Sequence, residues 1–151
     1  VRALVVFDSE HGNTRTVASA VAATLGSDVR ARPVSGLDTK ELEGLDLLVA
    51  GSPIHAWKPS PRMQSFLAAL KPDQLKGTKA AAFDTRVKIF FHGDAAGKIT
   101  RLLKKAGAEI VAEPAGFDVL SREGPLADGE AARAKGWARR VKESVAARQN
   151  T

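Results

Sequence analysis

Short, almost uninterrupted apolar runs alternate along this chain with stretches in which apolar residues recur every three or four positions, and few folds accept that pattern. Residues 2–7 form such a run and stop at Asp8-Ser9. A strand with no polar face reads as buried on both sides of a parallel sheet. Behind it, Thr14, Val17, Ala18, Val21, Ala22 and Leu25 fall at helical spacing, and Gly26 ends the helix. The pattern then returns. Residues 45–50 read as a second buried strand ending at Gly51-Ser52-Pro53, and residues 79–83 as a third ending at Asp84-Thr85-Arg86. Residues 109–112 begin the last strand, while 28–34 alternate, contain Pro33 and suit a short edge strand. Between them, Ser60 and Pro61 mark a helix start ahead of Met63, Phe66, Leu67 and Leu70. Ile99, Leu102, Leu103 and Ala106 lie on a helix closing at Gly107, and Ala131, Ala134, Trp137, Ala138, Val141 and Val145 line the final one.

Parallel neighbours need a crossover of about a helix's length, so βα units repeated five times predict an α/β three-layer sandwich. Its five-stranded parallel sheet takes the order 2-1-3-4-5, with helices on both faces. Ligands in such sheets sit beyond the C-terminal strand ends where the winding reverses, which singles out the loops after strands 1, 3 and 4. Residues 119–128 read as a surface loop, and the 151 residues suit one domain, 1–151, able to bury its own core.

Composition removes several classes of chemistry. The chain has no cysteine, which excludes disulfide scaffolds, thiolate zinc sites, iron–sulfur clusters and thiol catalysis; redox chemistry would need a bound cofactor. No run approaches the roughly 20 apolar residues that span a bilayer, and the N-terminal run reads as a strand and not a signal peptide, so a cytoplasmic protein without membrane contact is expected. The net charge of +6 raises the question of a polyanionic partner. Lysines and arginines are spread along the chain without interleaved aromatics, which argues against nucleic acid and for a solvated basic surface. The densest group, Arg133, Lys135, Arg139, Arg140 and Lys142, belongs to the outer face of the last helix.

The loop Ser9-Glu10-His11-Gly12-Asn13-Thr14 joins a buried strand to a helix start. Unpaired amides and the positive end of the helix dipole meet there and favour an anion, with Ser9, Asn13 and Thr14 as side-chain donors. Gly12 allows close backbone approach. These residue types also cap helices, but capping needs one of them and the loop supplies several. No lysine precedes the Ser/Thr, so a nucleotide-hydrolysing phosphate loop is not indicated, and the dinucleotide glycine spacing is absent.

Val5-Val6-Phe7-x-Ser9-x-x-Gly12-Asn13-Thr14-x-x-x-Ala18 resembles the signature of the flavodoxin family, whose first loop holds the phosphate of FMN. Gly51-Ser52-Pro53-Ile54-His55 resembles the family's second flavin loop, Asp84-Thr85-Arg86 stands where the third belongs, and Gly124-Pro125-Leu126 with Gly129-Glu130 is similar to small bacterial flavodoxin-domain proteins. The resemblance implies a flavodoxin-like fold in which Ser9, His11, Gly12, Asn13 and Thr14 hold phosphate. It further implies that Ser52, Pro53, Ile54, His55, Ala56 and Trp57 cover one ring face, with Trp57 stacking, and that Asp84, Thr85, Arg86 and Phe91 flank the other face or the pyrimidine edge. The apolar stretch 87–91 suits a pocket wall, a packing element or a partner contact.

The implied function is electron transfer or a small FMN-dependent oxidoreductase, served by a redox partner protein or NAD(P)H. The alternative is a flavodoxin-like binding or regulatory module without flavin, or use of the loop for another phosphorylated ligand. Three departures bear on activity: the chain is basic where flavodoxins are usually acidic, it has no tyrosine, and Ile54-His55-Ala56-Trp57 lacks the family's flipping glycine. Bulky residues resist such a flip, which favours two-electron chemistry. Ser9 with His11 or His55 lacks a nucleophile elbow and an evident orienting acid, so hydrolysis is not indicated. His11, His55 and His92 lie in different loops without ligand spacing, which argues against metal; His55 suits a proton source at the ring edge. The sequence carries no signal for oligomeric state.

Overall fold

In the computed structural model, which describes residues 1–87 and 93–149, the apolar runs pair side by side as one sheet. Its strands are β1 (Ala3–Phe7), β2 (Arg30–Pro33), β3 (Leu47–His55), β4 (Lys58–Pro59), β5 (Lys79–Val87), β6 (Glu109–Ile110) and β7 (Ala115–Val119). The helices are α1 (Asn13–Leu25), α2 (Pro61–Ala68), α3 (Ala95–Lys105) and α4 (Glu130–Gln149). The order β2-β1-β3-β5 followed by β6 and β7 is the expected 2-1-3-4-5 winding, all parallel, in a flavodoxin-like α/β sandwich.

The strand count is higher than five for two local reasons. The last sheet position is divided: β6 pairs with the start of β5 and β7 with its end, across a break that contains Pro114, which has no amide to donate to a ladder. β4 is new, folding back antiparallel on the end of β3. The repeat is also less regular than five βα units. Between β2 and β3 stands a 3-10 turn, Thr39–Leu42, stabilised by a reciprocal cap in which Asp38 accepts from Lys40 N at 2.9 Å and Glu41 accepts from Asp38 N at 3.1 Å. Its single buried residue, Leu42, plugs the sheet face that a full helix would otherwise cover.

Side chains of adjacent strand residues point to opposite faces, and so each buried strand feeds two cores. Val5, Phe7 and Val49 pack with α1 and α4 on one side; Val6, Leu48 and Ala50 pack with Met63, Ile99 and Leu103 of α2 and α3 on the other. Phe83, Phe117 and Trp137 meet edge to face with centroids 6.0–6.2 Å apart, joining β5, β7 and α4. Arg133, expected on a solvated face, instead fastens α4 to β7: it donates to Glu130 and to the Gly116 carbonyl and lies 4.7 Å over the Phe117 ring. These two cores fix the C-terminal ends of β1, β3, β5 and β7 beside one another.

Candidate ligand site at the strand ends

The loop after β1 closes on its own serine. The Ser9 hydroxyl accepts from Gly12 N at 3.1 Å and Arg15 N at 3.4 Å, bending the chain so that Gly12 enters α1 with φ 91°. An L side chain rarely adopts that angle. Gly12 has no side chain to cap the helix, so the Asn13 and Thr14 amides begin α1 at the positive end of its dipole. Thr14 is buried, and its hydroxyl lies 2.8 Å from that of Thr85 on β5. This bond ties the first loop to the third.

β3 runs past its expected end because Ser52 and Pro53 remain in register with Asp84 and Thr85. A two-residue turn, Ala56-Trp57, then connects it to β4, with φ 48° and 72°. Paired positive φ values are the hairpin geometry that Asn-Gly satisfies best, and alanine and tryptophan adopt it only under strain. The strain is held from α3 and the segment ahead of it: Lys98 Nζ donates to the Trp57 carbonyl at 3.0 Å, and a Cβ on Gly93 would stand 2.6 Å from Trp57 Cα. The result is a tryptophan 54% exposed on a backbone that is clamped.

On β5, Asp84 is fully buried and accepts from Arg86 Nε at 2.7 Å, from Arg86 Nη2 at 2.6 Å and from Ala96 N at 2.9 Å. The hydrogen bonds that Arg86 donates to Asp84 raise the Arg86 pKa against the opposing effect of burial.

These elements enclose a cavity of about 530 Å³. Of the residues expected at the site, His11, Asn13, Thr14, Pro53, Ile54, His55, Ala56, Trp57, Thr85 and Arg86 line it. Ser9 and Gly12 shape its first loop from behind. Ser52 and Asp84 do not line it. Ser52 is fully buried, accepting from Ser60 N at 2.9 Å and donating to the Pro53 carbonyl at 2.8 Å, so it anchors the hairpin. Phe91, with His92 and positions 88–90, lies outside the described residues.

The structure adds Glu10, Val119 and Arg122 to the lining. Glu10 supplies the acid that sequence alone did not assign: its carboxylate is 3.2 Å from His55 Nε2, 3.8 Å from His11 Nε2 and 3.8 Å from Arg122 Nη2. A carboxylate only accepts, so the His55 bond places a proton on Nε2. Val119 and Arg122 belong to the segment expected to be an ordinary surface loop. That loop folds onto the first: a Cβ on Gly124 would lie 2.6 Å from Asn13 Oδ1. The Gly124-Pro125 pair was the one visible hint. Among the described residues no cluster of His, Asp or Glu could hold a metal, and no helix is long and apolar enough to cross a membrane.

A helix start whose Asn13 and Thr14 amides stand beside the loops of neighbouring strands around one cavity, at the point where the sheet changes its direction of winding, defines a doubly wound α/β protein with a candidate ligand site. The model of the flavodoxin-domain family matches residues 4–109, more than half of the chain. The chain belongs to that family. Among solved structures it is similar to oxidised flavodoxin 2 from Bacillus cereus, at 22% identity and a TM-score of 0.83, covering 95% of this chain and 99% of that one. It is similar to an archaeal flavodoxin at 21% identity and a TM-score of 0.75, covering 97% and 99%. Rubredoxin oxygen:oxidoreductase from Desulfovibrio gigas shares the fold at 16% identity and a TM-score of 0.82, covering 99% of this chain and 37% of that larger one. No curated protein matches the chain in sequence.

Proposed function

We propose that this chain binds FMN in the strand-end cavity and works in electron transfer or as a small FMN-dependent oxidoreductase. The observation that carries the reading is the continuity of the cavity from the open N-terminus of α1 to Trp57, one end suited to an anion and the other to a flat ring. A volume of about 530 Å³ lies within the range of cofactor pockets.

In this arrangement the Asn13 and Thr14 amides and the Asn13 and His11 side chains hold the phosphate. The Thr14 hydroxyl can join them while accepting from Thr85, since a hydroxyl donates once and accepts twice. Trp57 and the hairpin cover the ring, and Thr85 and Arg86 face it from β5. Glu10 orients His55 and keeps a proton on its Nε2. The flavin supplies the one- or two-electron chemistry. Electrons would arrive from a redox partner protein or from NAD(P)H at the side left open by the exposed Trp57.

Titration of the flavin-free protein with FMN, followed by quenching of flavin fluorescence, tests the reading. Binding that weakens at least tenfold in both Thr14→Ala and Trp57→Ala is expected. Absence of binding at millimolar FMN removes it and leaves a flavodoxin-like domain used for recognition.

A further inference from the structure

Arg86 is held in the cavity wall more firmly than a binding contact requires. Its Nε and Nη2 are both spent on Asp84, the carboxylate of Asp84 is fully buried, and that carboxylate is itself fixed by the first turn of α3 through Ala96 N. Asp94 lies 3.9 Å from the same Nη2. The guanidinium lies across β7 at Gly116, where a Cβ would stand 2.3 Å from Nε. Among the described residues Nη1 has no acceptor, and Arg86 remains 21% exposed in the wall of the cavity. Asp84 is sealed in the protein while Arg86 lines the cavity, so the ion pair presents its cationic partner to the cavity.

We propose that Arg86, positioned by Asp84 and by the missing side chain at Gly116, sets the reduction potential of the bound flavin by binding its reduced form in preference to its oxidised form. The inference rests on the FMN reading above. Full reduction places additional negative charge on the N1–C2 carbonyl edge of the isoalloxazine, and fixed charge near that edge is one of a protein's main means of tuning the cofactor. A donor already fixed in the cavity wall needs no rearrangement when negative charge develops beside it. Asp84 cancels much of the cation at long range, so the effect is short-ranged and moderate. It also has a direction: the wall favours the electron-rich state and moves the protein away from low-potential electron carriage.

The test measures dissociation constants for oxidised FMN and for dithionite-reduced FMN, and the midpoint potential of the bound cofactor. Arg86→Gln alone strands the Asp84 charge, so the decisive variants are Arg86→Gln combined with Asp84→Asn, which removes the pair, and Gly116→Ala, which keeps both charges and displaces the guanidinium. Thermal melts confirm that each is folded. In both variants the preference for reduced over oxidised FMN is expected to fall about tenfold, equivalent to about 30 mV for a two-electron couple. In both variants affinity for oxidised FMN is expected to fall by less than affinity for reduced FMN. Equal losses in both redox states, or an unchanged preference, overturn the proposal while leaving the FMN reading intact. Failure of the parent protein to bind FMN in either state overturns both.

Discussion

At the scale of single residues, the hydroxyl pair Thr14–Thr85 links two loops that are 71 positions apart in sequence. Both side chains are at most 5% exposed, so removing one hydroxyl leaves the other without a protein partner in a place water reaches poorly. Thr85→Val is expected to destabilise the flavin-free protein by about 1–3 kcal/mol, and adding Thr14→Val to recover part of that loss, because deleting both partners removes the orphan. Urea unfolding of the two variants checks it; a double variant no more stable than Thr85→Val would refute the pairing. Gly51 is a second such position. A Cβ there would stand 2.0 Å from the fully buried Phe83 ring, so Gly51→Ala forces the aromatic trio to repack and is expected to cost about 1–3 kcal/mol. This scale is where sequence was least informative. The six-residue loop after β1 could be read as a candidate anion site because its donors are contiguous. The Glu10–Arg122 contact could not, because it joins residues 112 apart, and a lone glutamate inside a phosphate-loop pattern gives no sign of its partners. Ser52 and Asp84 were expected at the ligand from the family resemblance; the fold buries both, and in this structure they hold backbone and Arg86.

Elements were far more legible. β1, β3 and β5 are buried on both faces, which requires continuous apolar runs, and continuous runs are visible without any knowledge of neighbours. Their C-terminal extensions were hidden, since Gly51-Ser52-Pro53 reads as a turn until β5 is placed beside it. The β3–β4 hairpin was hidden for a sharper reason: its turn residues are Ala56-Trp57, with none of the Asn or Gly that signals such a turn. That mismatch gives a prediction at this scale. Ala56→Gly relieves a left-handed alanine but adds freedom to the unfolded chain, and the difference should stabilise the protein by about 0.5–1 kcal/mol. The same change frees the turn that presents Trp57, so FMN affinity should fall as stability rises. Chemical denaturation and FMN titration on the one variant read both quantities. Parallel gains in stability and affinity would show that the strain serves no purpose at the site.

Taken as a whole, the molecule carries a net charge of +6 around a cavity proposed to hold FMN, whose phosphate is negative. Long-range charge governs encounter more than it governs contact. Much of the charge near the cavity is already paired, Arg62 with Asp8 and Arg86 with Asp84, so the field there comes from the sum over the surface and not from one patch. Such a field is screened beyond about 10 Å at 0.1 M salt. Two consequences share that cause. Association of FMN should slow as salt is raised while dissociation changes little. The reduced, FMN-loaded protein should deliver electrons faster to an anionic complex such as ferricyanide than to a cationic complex of matched driving force, and the gap should close between 10 mM and 500 mM salt. Stopped-flow measurements of both reactions across that range decide it. If the cationic oxidant reacts faster at low salt, the surface around the open edge is acidic in effect, and a partner would have to be basic despite the charge of the whole chain. If ferricyanide leads and its advantage disappears with salt, the basic charge reaches the flavin edge, and the physiological donor or acceptor should be sought among acidic redox proteins or the phosphates of a nicotinamide dinucleotide.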